Sequence, residues 1–252
     1  MADVQKVIGL MSGTSLDGID AALLETDGED IAVPGPALGV PYDAETRAML
    51  RAALEEAKSV AAGGPVPYSI RDAEQRLTEA HAEAVKALLE KAELRARDVS
   101  LIGFHGQTIL HRPAQRWTWQ IGDGALLAKL TGIDVVNDFR SADVKAGGQG
   151  APLVPLYHAV LAHNAKKANL VPPLVFVNIG GVANVTYING EDVLAFDTGP
   201  GNAPIDDWAM NHTRKPVDEG GALARQGRVD DRALADMLDN EFFEKGPPKS
   251  LD

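Results

Sequence analysis

Lys6–Glu25, KVIGLMSGTSLDGIDAALLE, is the stretch whose reading decides the fold. Val7, Ile8 and Leu10 form one apolar strand, and Ile19, Ala21 and Leu23 a second. Between them lies a small, polar turn, Ser12-Gly13-Thr14-Ser15. With no Cβ in the way, a glycine tip lets backbone approach a ligand closely. Consecutive N–H groups and hydroxyls at such a tip make a concavity suited to phosphate oxygens. Asp17, just past the tip, is placed to hold Mg²⁺ through water. The same pattern also describes an ordinary Ser/Gly hairpin, so its meaning depends on the rest of the chain.

That chain has 252 residues, enough for one large domain or two small ones with a substantial core. A hydrophobic share of 45% beside 24% charged residues is that of a soluble globular protein. The net charge of −12 argues against a nucleic-acid partner or an anionic membrane, both of which select basic faces. An anionic substrate in a local pocket is compatible with it. The absence of cysteine excludes disulfides, thiolate metal sites and a Cys nucleophile, and is consistent with the cytoplasm. MADVQKVIGL is too short and polar for a signal peptide, and no run approaches membrane-spanning length.

Beyond the hairpin, Val33–Pro41 reads as a Pro/Gly loop, and helices are expected over 43–61 and 69–94. The second opens on Ser69-Ile-Arg-Asp72, a capping-box pattern. Short strands follow at 101–104, 117–121 and 133–136, with a helix over 122–131 and a Gly-rich loop, SADVKAGGQG, at 141–150. A helix over 151–164 leads to strands at 174–179, 182–188 and 194–196, then helices at 203–211 and 230–240. A glycine-tipped hairpin therefore opens each half, the second around Gly180-Gly181. Two such hairpins facing each other would grip a polyphosphate between two lobes.

Polar clusters fall after strand ends, where open α/β sheets place ligands. His105-Gly106-Gln107-Thr108 reads either as a satisfied turn or as a set of hydrogen-bonding groups for a polar ligand. Asp138 and Arg140 read either as a local ion pair or as a site for sugar hydroxyls and a carboxylate, Arg140 being the bidentate partner. Asp197, ahead of Thr-Gly-Pro-Gly-Asn202, reads either as a turn residue or as a general base with room for substrate beside it. Trp117, Trp119 and Trp208 read as core or cleft packing. Walker-A, G-x-G-x-x-G and G-x-S-x-G motifs are absent, and no His pair has metal-ligand spacing.

Taken together, GLMSGTSLDGID (9–20), HGQT (105–108), TGIDVVNDFR (131–140), AGGQGAPLVP (146–155), VNIGGVANV (177–185) and FDTGPGN (196–202) strongly resemble the anhydro-N-acetylmuramic acid kinase family. The resemblance implies an α/β protein with the actin-like ATPase (ribonuclease H-like) two-lobed fold, divided into residues 1–140 and 141–252. It implies ATP-dependent conversion of 1,6-anhydro-N-acetylmuramic acid to N-acetylmuramic acid 6-phosphate in peptidoglycan recycling, with ATP and Mg²⁺ as cofactors, and a cytoplasmic protein that is a possible homodimer. Carried over, Gly13, Thr14, Ser15, Leu16, Asp17, Gly18, Ile19 and Asp20 form the first phosphate hairpin. Asn178, Gly180, Gly181 and Asn184 form the second. Asp197 matches the water-activating Asp, and His105, Gln107, Asp138 and Arg140 fall where the sugar should lie. Family members continue well past the point matching Asp252, so the second lobe is expected to be incomplete and to expose apolar surface. On that account a non-catalytic sugar- or nucleotide-binding fragment is the alternative reading, and a carboxylate-based anhydro-sugar hydrolase a second one.

Overall fold

The computed structural model describes residues 3–13, 15–165, 170–247, 249 and 251. The chain divides into two compact units, residues 1–153 and 154–252. The expected lobe boundary at 140/141 falls inside the first of these.

In the first unit, β1 (Gln5–Ser12) pairs antiparallel with β2 (Gly18–Thr26), and β2 with β3 (Ala32–Pro41). On its other side β1 pairs parallel with β4 (Leu101–Arg112). The outer edge of β4 is shared. Ile102–Phe104 pair with β6 (Val135–Asn137) and Gln107–Arg112 with β5 (Trp117–Ile121). The order β3-β2-β1-β4 with a further parallel strand is the expected actin-like, ribonuclease H-like arrangement.

Helices α1 (Ala44–Ala57) and α2 (Tyr68–Lys91) pack on this sheet, and α3 (Gly124–Thr131) and α4 (Ser141–Ala146) follow β5 and β6. Buried residues of α2 recur at helical spacing, and the helix serves two apolar clusters. Ala82, Val85 and Leu88 meet Ile8, Leu10, Ile19 and Ile102. Ile70, Ala73 and Leu77 meet Leu50 and Ala53 of α1 with Leu16, Ile109 and Ile121.

The second unit is an antiparallel meander, β7 (Leu174–Ile179), β8 (Val182–Asn189) and β9 (Asp192–Pro200). It is accompanied by α5 (Val154–Ala165), α6 (Ala203–Thr213), α7 (Asp231–Leu238) and α8 (Glu241–Glu244). His158 of α5 stacks on Phe176 of β7, ring centroids 4.4 Å apart, and its Nδ1 lies 3.0 Å from Thr186 Oγ1 of β8.

Five local expectations change. The Val33–Pro41 segment is an edge strand, and its prolines are tolerated because β3 has a partner on one side only and a bulge between Pro34 and Ala37. No capping box forms at Ser69, because α2 starts a residue earlier and Ser69 Oγ donates to Glu56 instead. The strand at 101–104 runs on to Arg112, so HGQT lies within β4 and not after it. Residues 141–146 of the expected loop are helical. Trp208 is 62% exposed, its ring against His212, whereas Trp117 and Trp119 stack on each other and pack on the core.

Candidate active site

The β1–β2 turn spans Gly13 to Asp17, and Thr14 lies outside the described residues. Leu16 takes a left-handed conformation, φ 54°, and its N–H donates to Gly13 O at 3.2 Å. Its side chain is buried against α1, which anchors the turn from within. Ser15 and Asp17 stay exposed, with Ser15 Oγ donating to Asp17 Oδ1 at 2.7 Å. Gly18 and Ile19 already belong to β2, and Ile19 points into the core. Leu16, Gly18 and Ile19 can therefore present backbone to a ligand, not side chains. Asp20 is exposed on β2. Ser12, expected in the turn, is instead the buried last residue of β1.

Asp17 offers one exposed carboxylate, whose Oδ1 already accepts from Ser15 Oγ, so a cation here would take the rest of its shell from water and phosphate oxygens. Among the described residues no group of three or more His, Cys, Asp or Glu could enclose a metal by itself.

His105 and Arg140, far apart in sequence, come together. Arg140 Nε donates to His105 Nε2 at 2.9 Å and Arg140 Nη1 to Gly150 O at 2.6 Å. His105 Nδ1, 2.8 Å from Gly106 O, is then the donor nitrogen, which fixes a single neutral tautomer. Burial, and then the Arg140 charge, lower the His105 pKa and keep it neutral. The guanidinium is thus half-buried and held at two of its corners, with the rest of its donor fork available to a carboxylate. Asp138 takes a different partner. It is exposed, with φ 59°, and its Oδ1 accepts from Ser141 N at 3.3 Å, so of the two readings the local ion pair with Arg140 is not formed. Gln107 is fully buried, and both ends of its amide are engaged: Oε1 accepts from Ser12 Oγ at 2.5 Å and Nε2 donates to Thr108 O at 3.1 Å. Its amide is therefore turned into the protein interior.

In the second unit the strand register aligns three of the expected residues. Asn178 of β7 is opposite Asn184 of β8, and Asn184 is opposite Asp197 of β9. Directly paired residues project from the same face, so the three form one polar row across the meander. Asp197 is within β9 and not in a turn after it. Its N–H donates to Lys249 O at 3.0 Å and its Oδ2 accepts from Leu251 N at 2.9 Å. At the strand ends, Gly180 O and Gly181 O accept from the N–H groups of Asn202 and Gly201, at 2.7 and 2.9 Å. A Cβ on Gly201 would come within 2.1 Å of Gly180 O, so glycine is required for this tie between the turn and α6.

Ser12 and Tyr42 are joined in a way that the sequence reading did not anticipate. Tyr42 OH donates to Ser12 Oγ at 2.8 Å, a pairing that only strand register brings about.

Comparison with known proteins supplies the family. The model of the anhydro-N-acetylmuramic acid kinase family matches residues 5–252. An anhydro-N-acetylmuramic acid kinase of Methylobacterium nodulans is 52% identical over 258 aligned residues, covering 98% of this chain and 68% of the relative. A kinase of the same name from Paramagnetospirillum magneticum is 54% identical over 246 residues, covering 97% and 65%. This chain thus spans about two thirds of the length of the curated relatives it matches. With nearly every residue matched, the chain belongs to the anhydro-N-acetylmuramic acid kinase family.

Proposed function

We propose that this protein is an ATP-dependent kinase that opens 1,6-anhydro-N-acetylmuramic acid and yields N-acetylmuramic acid 6-phosphate, in cytoplasmic peptidoglycan recycling. The observation that carries the reading is the family match over residues 5–252, which takes in both glycine turns, the Arg140 site and Asp197. In this reading Asp197 accepts a proton from water as the water oxygen bonds to the anomeric carbon. The bond from that carbon to the bridging oxygen breaks, and the freed oxygen takes the γ-phosphoryl group while ADP leaves. Phosphoryl transfer asks the protein mainly for positioning and charge neutralisation. The backbone of Gly13–Asp20 and of the Gly180–Gly181 turn, with Asn178 and Asn184 beside it, supplies positioning for phosphates. Arg140, steadied by His105, receives the sugar's carboxylate, and Asp138 its hydroxyls. Asp17 is the residue that would hold Mg²⁺ through water, and the ion would supply charge neutralisation on the phosphates.

The test is phosphate transfer from ATP to the anhydro sugar by wild type and by Asp197→Asn. A positioned general base contributes about 10²- to 10⁴-fold, so the variant should lose at least about a hundredfold in kcat while ATP still binds. Ring opening by wild type that proceeds unchanged without ATP would establish a hydrolase and remove the kinase reading. Sugar binding without turnover in wild type would leave a binding protein.

A further inference from the structure

The β1–β2 turn is braced by a residue outside it. Tyr42 follows β3 directly and reaches both flanks of the turn. Its N–H donates to Asp17 O at 3.0 Å, and its hydroxyl donates to Ser12 Oγ at 2.8 Å. Ser12 ends β1 and Asp17 precedes β2, so the two bonds bracket Gly13 to Leu16. The hydroxyl bond continues inward, from Ser12 Oγ to Gln107 Oε1 at 2.5 Å and from Gln107 Nε2 to Thr108 O at 3.1 Å. Each group donates to the next, so the direction of the chain is set. Ser12 and Gln107 are 1% and 0% exposed, leaving no solvent to replace a lost link. A buried polar group deprived of its partner bears the full cost of its desolvation. Burial, with the Asp17 charge adding to it, pushes the Tyr42 phenol up to about 12, so it stays a donor.

We infer that Tyr42 is a positioning residue for the β1–β2 turn, holding it through Ser12 and Gln107 in the shape that receives nucleotide phosphate, and that Gln107 belongs to this brace and not to the sugar site. The inference rests on the proposed role of the turn in nucleotide binding. It uses a cross-strand geometry, since Ser12 and Gln107 are register partners just past the bulge that separates them from Leu10 and Phe104.

Tyr42→Phe removes only the hydroxyl. In the whole chain without ligand, amide exchange at Leu16 should quicken at least about tenfold, while amides of Ile8–Leu10 and Ala21–Leu23 keep their protection. With MgATP, KM for nucleotide should rise about tenfold, the loss expected for about one hydrogen bond, with KM for the sugar unchanged. Ser12→Ala carries the same expectations and serves if Tyr42→Phe does not fold. Unchanged exchange at Leu16 with unchanged KM for ATP overturns the role of Tyr42. A uniform rise in exchange across all strands, with both KM values raised together, overturns it too, since that is general loosening. Gly13→Val separates the two levels of the argument. If it leaves ATP affinity at the wild-type value, the nucleotide role of the turn falls and this inference with it. If it weakens ATP binding while Tyr42→Phe and Ser12→Ala do not, only the role of Tyr42 falls.

Discussion

His81 is a histidine that folding keeps neutral. It lies on the buried face of α2, its Nδ1 donating to Leu77 O at 2.8 Å and its ring 4.9 Å from that of Phe104. Its Nε2 is buried without a partner, and burial drives its pKa down to about 4. The folded value thus lies below the ordinary value of 6.5, so between about pH 4 and 6.5 the unfolded chain binds the proton and the folded chain does not. Stability must then rise with pH across that window and level off above it. A lowering of that size corresponds to roughly 3 kcal/mol. His105 adds a contribution of the same sign, whereas Asp27, Asp43, Asp98 and Asp218, held below their usual 3.8, act only at lower pH. Urea melts from pH 4.5 to 7.5 should show this slope in wild type and a shallower one in His81→Leu. Parallel curves for the two proteins would refute it.

At the scale of elements, β4 shows what holds the first unit together. Its buried residues alternate as Ile102, Phe104 and Gly106, then change phase at Gln107. The change comes at Gly106, whose φ of +68° is a glycine conformation and whose added Cβ would lie 2.2 Å from Ile121 O of β5. There the strand exchanges β6 for β5 along its outer edge. Gly106→Ala should therefore part β5 from β4 and cost about 2–4 kcal/mol, measured by denaturant melts. A melt within about 0.5 kcal/mol of wild type would contradict this. The same bulge explains what the sequence concealed. A re-phased alternation reads as a strand that stops, and so HGQT resembles a loop. The two glycine turns were legible because small residues punctuate clear apolar runs. The brace from Tyr42 to Gln107 was not legible, since its links span 30 and 95 residues and exist only once the sheet register is set. Likewise the partner of Arg140 could have been Asp138, two residues away, but the left-handed turn at Asp138 directs that carboxylate to Ser141.

At the scale of the molecule, apolar burial is unevenly shared. Both large clusters, and with them the fully buried Phe104, Ile8, Leu50, Leu77 and Ile102, belong to residues 1–153. In residues 154–252 the described buried apolar side chains are Ala162, Ile188, Ala209 and Phe242, whereas Val175, Val177 and Ile179 of β7 are each more than half exposed. Protection against exchange follows buried contacts, so amides of β7–β9 should exchange at least about tenfold faster than those of β1, β2 and β4. Equal protection in the two units, read by hydrogen–deuterium exchange, would contradict that ranking. The borders of the first sheet also differ in chemistry. Pro34 and Pro36 remove two N–H donors from the edge strand β3, and the bulge between Pro34 and Ala37 interrupts its line. A stray segment from a neighbouring molecule seeking to zip onto this border finds an incomplete ladder, so the β3 flank of the sheet is guarded against cross-β growth.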